Sequence, residues 1–321
     1  MKHHPRKHRP LVRAAFTFLA ALAASPLSRA QDSRSDASLE ARNTAGRAMV
    51  YQQMDPSSLE TLTTPDRLRN VAKGGFAPTE IWRALEHGEK VECLDCIAPV
   101  SKLLYDDNAK TREISAWWLR RRIFGVFGPG QVYSRTVATL NDKSKSEKQR
   151  AYAAEALGEF LTSAGTAHVA QAIVADTSPM VRLSAVRALQ RMNSAGPNGE
   201  LSVALRDPDE QVRIAALHAS TRINAFNDIA EITALLDDPS SAVRTRALEA
   251  LGTLKARDSV VGIAAKLSPA NEAAPSVRAA AASALGEIGD GAVRQAVQDA
   301  RENDPDHFVR DAARVALRQL L

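Results

Sequence analysis

Leu236-Asp237-Asp238-Pro239-Ser240-Ser241-Ala242-Val243-Arg244-Thr245-Arg246-Ala247-Leu248-Glu249-Ala250-Leu251-Gly252 decides the fold, because six other parts of the chain are copies of it. The copy just upstream, Leu205-Arg206-Asp207-Pro208-Asp209-Glu210-Gln211-Val212-Arg213-Ile214-Ala215-Ala216-Leu217, keeps the aspartate, the proline and the Val-Arg pair in register. Aligned on the arginine, the copies place Arg112, Arg150, Arg182, Arg213, Arg244, Arg278 and Arg310 at spacings of 38, 32, 31, 31, 34 and 32 residues. A steady period of this size marks an array of stacked units.

Six residues before the arginine stand Asp106, Asp176, Asp207, Asp238 and Asp304, each closing an apolar run and opening a turn. Pro208, Pro239 and Pro305 reinforce three of those turns. After the arginine the pattern is helical. The third position holds Ser115, Ala153, Ala185, Ala216, Ala247, Ala281 and Ala313; the seventh holds Leu119, Leu157, Leu189, Ser220, Leu251, Leu285 and Leu317. That spacing makes one buried stripe. A second amphipathic run precedes each turn, as in Asp228 to Leu236 and Val260 to Leu267, so a unit reads helix, turn, helix. Gly158, Gly252 and Gly286 read as helix ends. The aspartate is placed to cap the second helix, and the arginine to pair with an aspartate of its own or an adjacent unit. This ladder is read as structural.

A helical hairpin with one apolar face cannot bury it alone, so the units must stack into a quasi-linear array. The recurring D-P-x-x-x-V-R-x-x-A-x-x-A-L-G pattern resembles the HEAT-repeat family in its short bilin-lyase-like form, over roughly residues 93 to 321. The W-x-x-L-G and T-P-L-H patterns of tetratricopeptide and ankyrin arrays are absent. The resemblance implies an all-α, right-handed solenoid of about seven hairpins with an N-terminal helical cap. It implies no catalytic residue.

Residues 1–30 read as a secretory signal peptide: a basic opening, an apolar run from Ala14 to Ala24, and Ser28-Arg29-Ala30 at the cleavage positions. The run is shorter than the ~20 residues of a membrane span, so the expectation is a secreted or periplasmic protein without one. The leader carries six Lys and Arg and no acid, which leaves 36 minus 37, or −1, for residues 31–321. The high pI of the whole chain therefore belongs to the leader, and a globally basic nucleic-acid binder is not supported. Residues 31–60 read as a flexible arm or a weak helix, and 61–92 as the cap, with helix starts at Pro65 and Pro78 and stops at Gly74-Gly75 and Gly88. Residues 93–321 form the solenoid. Ten of the thirteen aromatic residues beyond the leader lie between Phe76 and Phe160. Trp118 stands where later units carry alanine, so the first interface must leave room for an indole or turn it toward the cap. The stretch Ile123-Phe124-Gly125-Val126-Phe127-Gly128-Pro129-Gly130 accounts for the long first spacing and lacks the order of a phosphate loop.

Cys93 and Cys96 are the only cysteines; their i, i+3 spacing at a helix start and an oxidising compartment predict a bond between them. A thioredoxin-like role would need a flanking βαβ pattern, which is missing, and c-type haem attachment fails because Ile97 stands in place of histidine. His87, His168, His218 and His307 are scattered, with no H-E-x-x-H, no His-Glu dipeptide of the kind HEAT-type hydroxylases use for iron, and no G-x-S-x-G. No metal or cofactor is expected, and no catalytic residue is assigned. The leading expectation is a non-enzymatic scaffold for another protein; the alternative is an accessory enzyme or a cofactor or thiol chaperone built on the cysteine pair.

In solenoids of the resembled family the second helices line the concave side. With the third and seventh positions inward, the second, fifth and ninth share another face. They include Trp117, Arg121, Tyr152, Arg187, Arg191, His218, Arg222 and Arg246, a basic middle bordered by two aromatic rings. This stripe is the expected seat of an acidic segment of a partner. Processing after Ala30 is testable by intact mass of exported protein; retention of residues 11–24 would mark an anchor instead.

Overall fold

The computed structural model describes residues 64–122 and 130–320. The signal-peptide expectation, the arm of residues 31–60 and most of the glycine-rich loop lie outside the described residues. Within them are sixteen α-helices and no strand. Two form the cap: α1 Pro65–Val71 and α2 Pro78–His87. Seven hairpins follow: α3 Leu94–Lys102 with α4 Ala109–Arg120; α5 Gln131–Asn141 with α6 Glu147–Phe160; α7 Thr166–Ala175 with α8 Pro179–Arg191; α9 Glu200–Ala204 with α10 Glu210–Ser220; α11 Ile229–Ala234 with α12 Ser241–Thr253; α13 Val260–Ala265 with α14 Pro275–Ile288; and α15 Arg294–Asn303 with α16 His307–Ala316. This is an α-solenoid whose even-numbered helices stack from one end to the other.

The stripe read from the sequence is the core. All residues at the third and seventh positions are buried, from Ser115 and Leu119 to Ala313 and Leu317. Cap helices begin and end where their prolines and glycines place them, with the Thr64 hydroxyl accepting from the Arg67 amide. Trp118 is fully buried and does turn to the cap: its Nε1 donates to the Gly88 carbonyl at 3.0 Å. Arg122 covers the indole at 3.7 Å and donates to the carbonyls of Trp118, Gly88, Glu89 and Val91. Burial, with the neighbouring Arg121 charge, lowers the Arg122 guanidinium to about 10.

The ladder is built across units. Arg150 reaches Asp176, Arg182 reaches Asp207, Arg213 reaches Asp238, Arg244 reaches Glu272 and Arg278 reaches Asp304, all at 2.6–2.8 Å and all one unit ahead. The same arginines use Nη1 to bind carbonyls of their own turn, as Arg278 binds those of Glu272 and Ala273 at 3.0 Å. Each therefore ties its own turn to the next. Two expectations need correction here. The ladder carboxylates are not helix caps: each accepts the amide two residues on, as Asp207 does from Asp209 and Asp304 from Asp306. The caps are the residues at that next position, Asn108, Ser146, Asp209, Ser240 and Asp306. Glu272 fills the ladder position of the sixth unit, which a search restricted to aspartate passes over.

The glycines are the second correction. Gly158, Gly252 and Gly286 lie inside α6, α12 and α14 and are buried. A Cβ on them would meet the Cα of Ala188 at 2.8 Å, of Ala284 at 3.0 Å and of Ala316 at 2.8 Å. Each sits eight residues after its ladder arginine, opposite an alanine six residues after the next one, and lets two helices close together. Where that position holds Arg120, Gln190 or Thr221 this contact cannot form. At the end of the array the fourth position after the arginine, buried as Ala116, Ala154, Val186, Leu217, Leu248 and Ala282, becomes the exposed Arg314.

Arg278→Ala, which strands a fully buried Asp304, should lower stability by about 3–5 kcal/mol, and Arg213→Ala or Arg244→Ala by about 1–3 kcal/mol, read from denaturant melts. Unchanged melts would show the ladder to be idle. Burial pushes the Asp176 carboxyl up, but hydrogen bonds from Arg150, Lys143 and the Ser178 amide outweigh it and hold the group at about 2; Glu272 and Asp304 are lowered too. Carboxylates depressed in the folded state stabilise it fully above their ordinary range. Stability should thus fall as pH drops below about 4 toward 2, and Asp176→Asn should flatten that fall.

Candidate partner-binding cleft

A cleft of about 450 Å³ opens between α4, α6 and α8. Its floor holds small side chains, Ala109, Ala116, Ala156, Gly158 and Ala188, and its walls are charged: Arg112, Glu113, Glu155, Glu159, Arg187 and Arg191. The seams explain the opening. Gly158 draws α8 onto α6, while α4 has Arg120 at the matching position. The long first spacing has a further effect. Six residues before Arg150 stands Ser144, so Arg112 finds no ladder carboxylate ahead and pairs instead with Glu155 at 2.8 Å inside the cleft. Its guanidinium lies over the Tyr152 ring, 3.7 Å from the centroid.

On α6 and α8 the cleft is lined by the stripe predicted from register: Tyr152, Glu155, Glu159, Ser184, Arg187 and Arg191. On α4 it is not. There the lining residues are Ala109, Arg112, Glu113 and Ala116, because α4 offers the side that faces α6. Trp117 is half-buried and packs on the core, and Arg121 pairs with Glu89 of the cap. The aromatic border drawn from the sequence is thereby revised: Tyr152 is in the cleft but covered by Arg112, and Trp117 does not line it.

The basic middle is also thinner than its residue types imply. Arg191 pairs with Glu159 at 2.6 Å, and Arg246 with Glu249 at 2.6 Å. Burial pushes the Glu159 carboxyl up, and Arg191 offsets part of that rise. Arg187 and Arg222 are exposed and, among the described residues, have no carboxylate within 4.0 Å. His218 meets Gln190 at 3.3 Å, and partial burial together with the charges of Arg222 and Arg246 lowers its pKa. Arg191 and Glu159 thus join stripe positions of α8 and α6, while Arg246 pairs within its own helix.

No histidine lines the cleft, and Ser184 meets only Glu155, at 3.5 Å, so no nucleophile with a base is assembled there. Among the described residues no cluster of three or more His, Cys, Asp or Glu side chains could hold a metal ion. No described helix is long and apolar enough to cross a membrane. The sulfurs of Cys93 and Cys96 lie at bonding distance with Cα atoms 5.2 Å apart, and both residues are buried beneath the cap.

The family model described as HEAT repeats matches residues 229–318. Those residues are HEAT repeats. The remaining units continue the same ladder and stacking, so the solenoid is HEAT-like throughout the described hairpins. Among solved structures, YibA of Escherichia coli is 17% identical, with a TM-score of 0.53 over 83% of this chain and 97% of YibA. Kap95p, which binds RanGDP, is 14% identical, with a TM-score of 0.54 over 82% of this chain and 40% of Kap95p. The CpcE–CpcF complex of phycocyanin lyase from Nostoc is 19% identical over 70% of this chain and 94% of that one, with a TM-score of 0.38. At these identities the likeness concerns the fold alone. No curated protein sequence matches the chain.

Differential alkylation of native protein, with and without reductant, reads the state of the cysteine pair. The expected result is no labelling without reductant and a melting temperature little changed in a Cys93→Ala, Cys96→Ala double variant, since the loop closed is tiny. Rapid labelling of native protein would overturn this.

Proposed function

We propose that this chain is an exported, non-enzymatic scaffold whose HEAT-like solenoid holds an acidic segment of another protein along the inner stripe of its second helices. The observation that carries this is the pair Arg187 and Arg222. In a chain whose ladder arginines from Arg112 to Arg278 each meet a carboxylate, these two stand exposed with none, Arg187 on the cleft wall and Arg222 further along the stripe. An exposed cation without a partner costs nothing in water, and offers a carboxylate a site that need not first be vacated. Arg246 adds to it, because its i, i+3 pair with Glu249 is solvent-exposed and weak. Kap95p, of similar fold, also serves as a protein binder, which supports the class of function and nothing finer. Export rests on the leader pattern of residues 1–30.

The thiol reading fares less well. Cys93 is 6% exposed and Cys96 fully buried, so a substrate disulfide has no line of approach to either sulfur.

Crosslinking of the mature protein in its native compartment, followed by mass spectrometry, should identify a partner whose capture weakens as salt rises. Arg187→Glu with Arg222→Glu should leave the melt unchanged and reduce capture by about tenfold or more. A folded double variant that keeps its partner at full strength would reject the stripe as the site.

A further inference from the structure

The inner stripe does not end with the cations. Its register extends one turn back, to the position two residues before each ladder arginine, because offsets of four, three and four residues keep one helix face. Lys148, at that position on α6, lies 6.0 Å from the Tyr152 ring, as the extension requires. On α16 the extended stripe reads Phe308, Ala312, Val315. Phe308 is 67% exposed and Val315 52%, one above the other on the last helix. On α14 it reads Ser276, Ala280, Ser283, and on α12 Ala242 precedes Arg246. These three helices are closely joined, through Gly252 against Ala284 and Gly286 against Ala316. The result is a surface with an apolar ridge at one end, then Ser276, Ala280 and Ser283 bordered at the ninth position by the exposed Glu287, and then Arg246, paired with Glu249, with His218 and Arg222 beyond.

A phenylalanine and a valine exposed one helical turn-pair apart differ from scattered surface apolar residues because they extend a charged binding stripe in register. Large apolar side chains, once desolvated, supply most of the energy of an interface, whereas exposed charges set orientation and rate. We propose that Phe308 and Val315 are the apolar anchor of the partner site, and that the partner is an amphipathic helical segment with apolar side chains at one end and carboxylates at the other. Stacked helices lie about 8–10 Å apart, which puts Arg246 about 16–20 Å and Arg222 about 24–30 Å from the anchor. At 1.5 Å per residue, a helix spans those distances in about 11–20 residues. This inference rests on the scaffold reading above and adds to it the location of the anchor, the partner's chemistry and its polarity.

The probe is a pair of fluorescein-labelled synthetic peptides of identical composition and about 20 residues. One carries leucine and phenylalanine at one end and a run of glutamates at the other; the second has the same residues interleaved. The first should bind the mature protein about tenfold more tightly than the second. A benzoylphenylalanine at its apolar end should crosslink to residues of α16, and one at its acidic end to α10 or α12. Phe308→Ser with Val315→Ser should weaken binding about tenfold without altering its dependence on salt, and exposed positions of this kind should leave the melt unchanged. Arg222→Glu with Arg246→Glu should weaken it in a salt-dependent way. If the arginine variant loses the peptide while the Phe308 and Val315 variant keeps it, the anchor is wrong and the scaffold reading stands. Equal binding of both peptides, or crosslinks from the apolar end to α4 or α6, would also overturn the anchor. If neither peptide binds while the native partner is still captured through Arg187 and Arg222, the helical, end-segregated partner is rejected and the scaffold reading survives. If that capture also fails, both fall.

Discussion

Everything in this array depends on a carboxylate and a guanidinium contributed by consecutive units. One hairpin turn places the carboxylate, fixed by an amide two residues later; the arginine of the preceding unit takes it with Nε and Nη2 and uses Nη1 to hold its own turn, as in Arg278 and Asp304. The pair is buried, so neither partner can be removed without leaving a charge in a dry place. Apolar stripes bring units together without choosing their relative height. The ladder chooses it, because a two-point hydrogen bond tolerates little sliding.

What the ladder does for height, the glycine seams do for spacing. Three of the joints between second helices bring an alanine backbone to within 2.8–3.0 Å of where a glycine Cβ would be, and the others cannot. Tight and loose joints alternate enough to divide the inner surface. A charged cleft forms where α4 stands off from α6, and a close-packed region forms where α12, α14 and α16 close up. The two regions are joined by the exposed arginines between them. The cleft and the close-packed seams thus follow from which residue occupies one position in each unit, while the unpaired cations and the apolar ridge come from other positions of the repeat.

That arrangement is what the proposed recognition of an extended partner rests on. The shifted carboxylates among the described residues are the ladder members Asp176, Glu272 and Asp304, the turn residues Asp107 and Asp142, which Lys148 and Ser144 lower, and Glu159, whose rise Arg191 offsets in part. The buried cysteine pair lies on the cap side of the first hairpin and does not line this cleft.

The period of about 32 residues, the position of every hairpin and the burial of the third and seventh positions were legible in the sequence, because they follow from local helical geometry repeated seven times. So was the cap, through Pro65, Pro78 and Gly88. What lay beyond reach were relations between units. Nothing local distinguishes a glycine that ends a helix from one that admits a neighbouring backbone, so Gly158, Gly252 and Gly286 were misplaced. Nothing local pairs Arg191 with Glu159, 32 residues away, while leaving Arg187 free, or diverts Arg112 to Glu155 when the next unit lacks its carboxylate. Phe308 and Val315 were visible as letters, but their exposure was not, because it is set by which side of α16 its neighbours leave uncovered. The sequence by itself determined the array and its core, since each unit folds by its own periodicity. Only the tertiary structure decided which charges remain free and where the surface opens, because those are set by distances between units that no single unit encodes.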